Sequence, residues 1–441
     1  MPANFQTIRN ITTTFLAPVW FCAVHAVENI VVIGDSLSKE YAIEFPLLNP
    51  DNPAAWGERN WLELLSKHRA EEVDIGKLAF WPDSRLTGHE FNFAFPGSTS
   101  SEWEEILTSN FLTGPQWILL RVSLDEYLED ADRVAIFLGG NDLKNNYGDY
   151  YRGEDPSGFI NTLVSNMETI VEYVRDQNDA VPIVLVNMPD VCITPTVIES
   201  KPDPDKRLLV TNLTREVNLR LRQMASDKGI AYADIEQLTA QLTGPDRFVI
   251  GGTRFLKSVD PNEGSNDPEY LFSPDGFHPN TTAQFLFANE IGRALNETYP
   301  ESSPITPFTT QEILALQELE ADVTAGAWAS AYGLSGFDPQ DDSDGDGVPL
   351  LQEFAFGMDP RIADADQASV LGEWTGTQLQ LSYHLRVQTS LHFTAQPQFA
   401  SNLVDWTAVP SEQTSSTRDQ HRAWVNPHDP QCFLRLHISE P

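Results

Sequence analysis

Ser36, Gly97, Asn141, Asp275 and His278 are the positions whose residue types together fit acyl transfer. That chemistry needs a nucleophile, a base that takes its proton, an acid that orients the base, and donors for the oxyanion. Ser36, in VENIVVIGDSLS, is the candidate nucleophile. His278 is the candidate base, since an unperturbed imidazole is largely neutral near pH 7 and can accept a proton. Asp275 lies three residues earlier in SPDGFHP, so a tight turn can carry its carboxylate to Nδ1 and set the tautomer. The backbone N–H groups of Ser36 and Gly97 and the side-chain amide of Asn141 are candidate oxyanion donors. At Gly97 the missing Cβ lets a substrate approach the backbone. A lone G-D-S more often makes a turn or a helix cap, and the other four positions give Ser36 its weight. His68, at a helix end, and His89, in a polar loop, lack an acidic neighbour at that spacing and read as structural or solvated.

A second set of oxygen-bearing residues lies in DPQDDSDGDGVPLLQEFAFGMDP. Counting from Asp342, carboxylates fall at positions 1, 3 and 5 (Asp342, Asp344, Asp346), Gly347 at 6, the Val348 carbonyl at 7 and Glu353 at 12. This is the spacing with which one loop wraps hard oxygen ligands around a calcium ion. A structural Ca²⁺ is expected there. The competing reading is a solvated acidic turn.

The elements that must position these groups follow from periodicity. The apolar run from Val27 to Ile33 predicts a short strand buried on both faces. Gly34 and Asp35 end it, placing Ser36 at a strand-to-helix corner with its N–H toward the following helix. VAIFLGGND, VPIVLVNMPD and IAYADI predict further buried strands. Helices are predicted in GERNWLELLSKH, SEWEEIL and PQWILLRVSLDEYLED, with Trp117 to Leu120 as a core face of the last. Two longer ones are predicted over 158–178 and 203–228, the latter burying Leu208, Leu209, Val217, Leu221 and Met224. A final helix, TTAQFLFANEIGRALNETY, is capped by Thr281. Residues 71–90 read as irregular, either bordering a cleft or forming a surface loop. Alternating strands and helices imply right-handed crossovers and a parallel sheet covered on both faces, with the site at the carboxyl ends of the strands.

Composition bounds the rest. The 441 residues are enough for two or three domains, and 64 acidic against 28 basic side chains give a net charge of −36. Such a field repels phosphate backbones and anionic lipid surfaces, which argues against nucleic acid as a partner. Residues 1–26 carry Arg9, a mostly apolar run over 11–23 and small residues before a cut, the pattern of an export signal. A secreted, periplasmic or surface location is therefore expected, with no transmembrane segment. Cys22 would leave with the signal, and Cys192 and Cys432 make no disulfide framework or metal spacing, so free buried thiols are expected.

Taken in order, GDSLS at 34–38, the glycine of NFAFPGSTS, GGND at 139–142 and DGFHP at 275–279 resemble the blocks of the GDSL (SGNH) esterase and lipase superfamily. The resemblance spans roughly 27–300. It implies a flavodoxin-like three-layer α/β/α domain and serine ester hydrolysis with no catalytic cofactor. It leaves lipids, small esters and sugar acetyl groups open as substrates. No apolar lid stands out, and an acidic secreted enzyme with accessory modules suits small acyl or carbohydrate esters. The alternatives are a lipase or phospholipase of the same superfamily, and an inactive surface-binding protein.

After residue 300, ESSPITPFTT reads as a linker within 301–336, and the following TQEILALQELEADVTAGAWASAYGL as helical. The acidic loop, within 337–360, resembles calcium-loop repeats of thrombospondin type 3 or dockerin-like style. Residues 361–441 alternate apolar and polar residues as in a small β-sandwich. That module either binds carbohydrate or a surface or simply caps the chain. Its Trp374, Trp406 and Trp424 read as core rather than as a ligand platform.

Overall fold

The fold is given by a computed structural model. It describes residues 27–41, 57–109, 114–240, 242, 248–250, 253–259, 268–319, 324–356, 358–363, 370–374, 378–384, 394–402, 404–416, 420–425 and 433–439. The expected export signal, the 45–53 loop and Cys432 lie outside the described residues.

The chain opens with β1 (Glu28–Gly34), α1 (Trp61–His68), β2 (Val73–Asp74), β3 (Leu78–Phe80) and β4 (Thr87–His89). Next come α2 (Ser100–Thr108), α3 (Pro115–Glu129), β5 (Arg133–Phe137), α4 (Gly140–Tyr151), α5 (Ser157–Gln177) and β6 (Ile183–Val186). Then follow α6 (Pro195–Ser200), α7 (Pro204–Lys228), β7 (Ala231–Ala233), α8 (Ile235–Ala240), β8 (Phe248–Ile250), β9 (Thr253–Val259), β10 (Tyr270–Phe272) and α9 (Thr281–Thr298). A five-stranded sheet runs β2-β1-β5-β6-β7, every neighbouring pair parallel.

Side chains alternate across this sheet because successive Cβ atoms of a strand point to opposite faces. Val31 and Ile33 of β1, with Val134 and Ile136 of β5, join a core shared with α2, α3, α5 and α7. Ile30 and Val32, with Ala135 and Phe137, face the other way onto α1 and α9. The strands are apolar at nearly every position because both faces are covered. This is the expected three-layer α/β/α arrangement.

Several local expectations are corrected. Among the described residues, 37–41 directly after Ser36 are not helical. Residues 35–38 form a turn in which the N–H groups of Ser38 and Lys39 donate to the Asp35 carbonyl at 3.1 and 3.0 Å. In α7, Leu208 and Leu209 are exposed, while Val210, Leu213, Val217, Leu221 and Met224 face the core. Trp117 is partly buried and Leu120 fully so, but Ile118 and Leu119 between them face outward. The cap of α9 is Asn280, whose side chain accepts the Ala283 N–H, rather than Thr281. Residues 71–90 are not irregular throughout: β2 joins the main sheet and β3 pairs with β4.

The stretch expected as a linker packs instead. Ile305 and Phe308 are buried against α1 and α9, and Arg69 forms a two-pronged ion pair with Glu312, at 3.0 and 2.8 Å. That segment leads into α10 (Thr310–Leu316) and α11 (Ala325–Ala331), two helices where the sequence suggests one. With α12 (Leu350–Phe356), α11 surrounds the buried Trp328. The remaining strands are β11 (Val370–Trp374), β12 (Leu379–His384), β13 (Thr394–Ala400), β14 (Thr407–Ala408), β15 (Thr414–Ser416), β16 (Gln420–Val425) and β17 (Phe433–Ser439). They form two small antiparallel sheets, β11-β12-β16-β15 and β14-β13-β17. Trp406 and Trp424 are half-buried, and Arg435 stacks on the Trp406 ring at 4.1 Å. Among the described residues, no helix is long and apolar enough to cross a membrane.

Candidate active site

At the end of β1, the Asp35 side chain folds back to accept the Leu37 N–H at 2.9 Å. Together with the bonds to its carbonyl, this closes a tight turn that leaves Ser36 partly exposed at the carboxyl edge of the sheet. Gly34 is required there by close approach: a Cβ on it would meet Ser38 Cβ at 2.9 Å and Ala94 Cβ at 3.3 Å.

His278 reaches the same place from 242 residues away. Its Nε2 lies 2.9 Å from Ser36 Oγ, and its Nδ1 lies 2.5 Å from Asp275 Oδ2. The other Asp275 oxygen accepts the N–H groups of Phe277 and His278 at 2.8 and 2.9 Å. The loop is tied down on both sides. Ser273 donates its N–H to the His278 carbonyl at 2.9 Å, and Thr196 at the start of α6 donates its own to Gly276 at 3.1 Å and its hydroxyl to Asp275 at 2.9 Å. Burial works to raise the Asp275 pKa, but the His278 bond and charge and the two N–H donors outweigh it and hold the carboxyl below its usual value.

The second expected block docks on the turn that carries Ser36. Phe95 donates its N–H to the Gly34 carbonyl at 3.2 Å and Ser98 its hydroxyl to the same oxygen at 3.1 Å. Gly97, exposed between them, adopts φ +79°, a conformation open to glycine. Asn141 sits in the first turn of α4, which the sequence reading did not anticipate. Its amide donates to the Ser98 carbonyl at 3.1 Å and, at 3.4 Å, to Asp35 Oδ2. One side chain thus bridges the residues beside Gly97 and beside Ser36.

Two carboxyls of this site went unassigned in the sequence. Asp142 accepts the Ser100 N–H at 2.9 Å and its hydroxyl at 2.6 Å, pinning α2 to α4. Burial raises its pKa, against those bonds. Asp35 is fully buried, and burial pushes it up to about 7. The signal for both was their place directly beside a motif residue, in G-D-S and G-N-D. His68 and His89 are structural: His68 packs on Phe285 and Phe308, and the His89 ring bonds the Gly76 carbonyl at 2.8 Å. Cys192 is a buried free thiol beside the Tyr147 hydroxyl.

Of the expected calcium ligands, the carboxylates of Asp342, Asp344 and Asp346 place oxygens within 4.8 Å of one another. Val348 is buried beside them in sequence, and Glu353 lies fully buried on α12.

No curated protein matches the chain. Among solved structures it is similar to phospholipase A1 from Streptomyces albidoflavus NA297, at 16% identity and TM-score 0.35, over 62% of this chain and 100% of that one. It is also similar to a carbohydrate esterase family 3 protein from Talaromyces cellulolyticus, at 14% identity and TM-score 0.33, over 63% and 100%. A third likeness is to an extracellular lipase from Streptomyces rimosus, at 14% identity and TM-score 0.34, again over 63% and 100%. The model of the GDSL-like Lipase/Acylhydrolase family matches residues 30–291. That stretch is more than half of the chain and contains every element that carries the site, so the chain belongs to this family and is a carboxylic ester hydrolase.

Proposed function

We propose that the protein is a secreted serine ester hydrolase in which Ser36, His278 and Asp275 act as nucleophile, base and orienting acid. The observation that carries this is the unbroken line from Ser36 Oγ through the His278 ring to Asp275, at 2.9 and 2.5 Å. Ser36 Oγ attacks the ester carbonyl while His278 Nε2 takes its proton. The same nitrogen then protonates the departing alcohol oxygen, leaving an acyl-Ser36 ester. Water, deprotonated by His278, attacks that ester, and the proton returns to Ser36 as the acid leaves. The Ser36 and Gly97 N–H groups and the Asn141 amide hold the oxyanion in both halves.

The substrates are small acyl or carbohydrate esters rather than long-chain lipids, and no catalytic cofactor takes part. Ser36→Ala is expected to lower kcat by roughly 10³ to 10⁶ and to abolish labelling by a fluorophosphonate. Undiminished turnover in a folded Ser36→Ala protein would end this reading. Absence of labelling in the intact protein favours the surface-binding alternative instead.

The acidic loop is proposed to hold a structural Ca²⁺ through Asp342, Asp344, Asp346, the Val348 carbonyl and Glu353. Support comes from the convergent carboxylates and from Asp344 Oδ2, a buried oxygen without a hydrogen-bond partner among the described residues. The β-rich module beyond it is proposed as the part that meets a polysaccharide or cell surface.

A further inference from the structure

A cavity of about 60 Å³ opens beside Ser36 and runs past the carboxyl ends of β5 and β6 toward β10 and α9. We propose that it binds the acyl chain of the ester, so that the enzyme selects straight acyl chains of about four to six carbons over acetyl. This rests on Ser36 being the nucleophile.

The walls are hydrocarbon: Val191, Ile193, Leu271, Phe272, Ala283 and Phe287. Apart from Asp35, Ser36 and Asn141 at the mouth, the polar lining residues are already occupied. Asp190 accepts the Cys192 N–H at 3.0 Å and the Thr211 hydroxyl at 2.8 Å. The Thr194 hydroxyl donates to Val191 at 2.8 Å, and that of Thr239 donates to Glu236 at 2.9 Å while accepting the Asp190 N–H at 3.1 Å. A sugar ring entering here would lose its water bonds without replacement, whereas methylenes gain by leaving water.

Ser36 and Asn141 line the cavity, as do Phe277 and Pro279 on either side of His278. An acyl group carried on Ser36 therefore has this apolar space directly beside it. The length of the acyl chain follows from size: a cavity needs about 10–15 Å³ to hold one water, so this one takes roughly four or five methylene-sized groups.

The test is a series of p-nitrophenyl esters from acetyl to dodecanoyl with the purified full chain. Each methylene buried is worth about fourfold in kcat/KM, so hexanoyl should exceed acetyl by about 10², with no further gain beyond hexanoyl. A flat or falling series overturns the proposal. So does a rise that continues to dodecanoyl, or one found in acetate esters of lengthening alcohols but not in the acyl series. Ala283→Leu, which fills the cavity, should lower the hexanoyl-to-acetyl ratio about tenfold. Phe287→Ala, which enlarges it, should move the optimum to longer chains. An unchanged ratio in folded Ala283→Leu overturns the proposal as well. A chain-length-indifferent esterase removes the acyl pocket alone, whereas a protein that hydrolyses no ester and takes no fluorophosphonate label removes the Ser36 reading and the pocket with it.

Discussion

Asp275 and His278 are locked together within a single turn: one carboxylate oxygen meets the imidazole Nδ1 at 2.5 Å while the other accepts the His278 backbone N–H at 2.9 Å. The residue that orients the ring therefore also shapes the loop that presents it. Asp275→Asn keeps an oxygen for the two N–H groups but offers the ring no charge and allows the wrong tautomer. A fall in kcat of about 10² to 10⁴ is expected, with the unfolding midpoint in urea changed little. Steady-state kinetics at pH 7 to 8 beside a denaturation curve check this.

Asn141→Ala removes the one side-chain amide proposed for the oxyanion. The expected loss is roughly 10² to 10³ in kcat with KM changed much less, because such a donor acts on charge that develops in the transition state. An equal loss confined to KM would assign Asn141 to ground-state binding instead.

Asp35 gives a pH signature. Burial, partly offset by the Leu37 N–H and the charge of His278, raises its folded pKa to about 7 from 3.8. Between those values the folded chain holds a proton that the unfolded chain has released. Stability from this group is fully present below pH 3.8 and is lost as pH rises toward 7, with a slope of at most about 1.4 kcal/mol per pH unit. Asp35→Asn should remove that slope between pH 4 and 7, as read by urea unfolding across the range. An identical pH dependence in wild type and variant would refute the buried, protonated carboxyl.

Gly34→Ala places a methyl 2.9 Å from Ser38 Cβ and 3.3 Å from Ala94 Cβ, in the turn that carries Ser36. The backbone must shift, at a cost of about 1 to 3 kcal/mol. Both Tm and kcat should fall, since small displacements of a nucleophile are costly in rate.

Removing a metal tests the acidic loop. Without a cation, Asp342 and Asp346 sit close enough to Asp344 that their charges add to burial in raising its pKa. Calcium should relieve this repulsion and raise Tm in a saturable way, and EDTA should reverse it. Asp344→Asn with Asp346→Asn should abolish the calcium response and leave ester hydrolysis unaffected. A Tm indifferent to both calcium and EDTA counts against the site.

What was legible in the residues alone was local. The buried strands declare themselves because both faces of a parallel sheet are covered, so nearly every position is apolar. Asp275 and His278 declare themselves because three residues of turn suffice to join them. The convergence of Asp342, Asp344 and Asp346 is legible for the same reason, as one loop brings the three carboxylates together. Where neighbours come from far away, pattern gave less. Leu208 and Leu209 have helical spacing yet face solvent, since which stripe of α7 is covered depends on where α5 and the sheet lie. The Pro-rich 301–310 stretch resembles a linker in composition, but Ile305 and Phe308 find a groove beside α1 and α9. The surroundings of Ser36 were likewise decided in three dimensions. Asn141 meets Ser98 and Asp35, and Ser36 meets His278, only because the ends of β1 and β5 in the main sheet meet the Phe95–Ser98 segment and the loop after β10, a strand of another sheet. Residue type and spacing fixed which groups can react, since chemistry and short turns are local properties. Packing of distant segments decided which of them meet and what space is left beside them, since burial is a property of the whole fold.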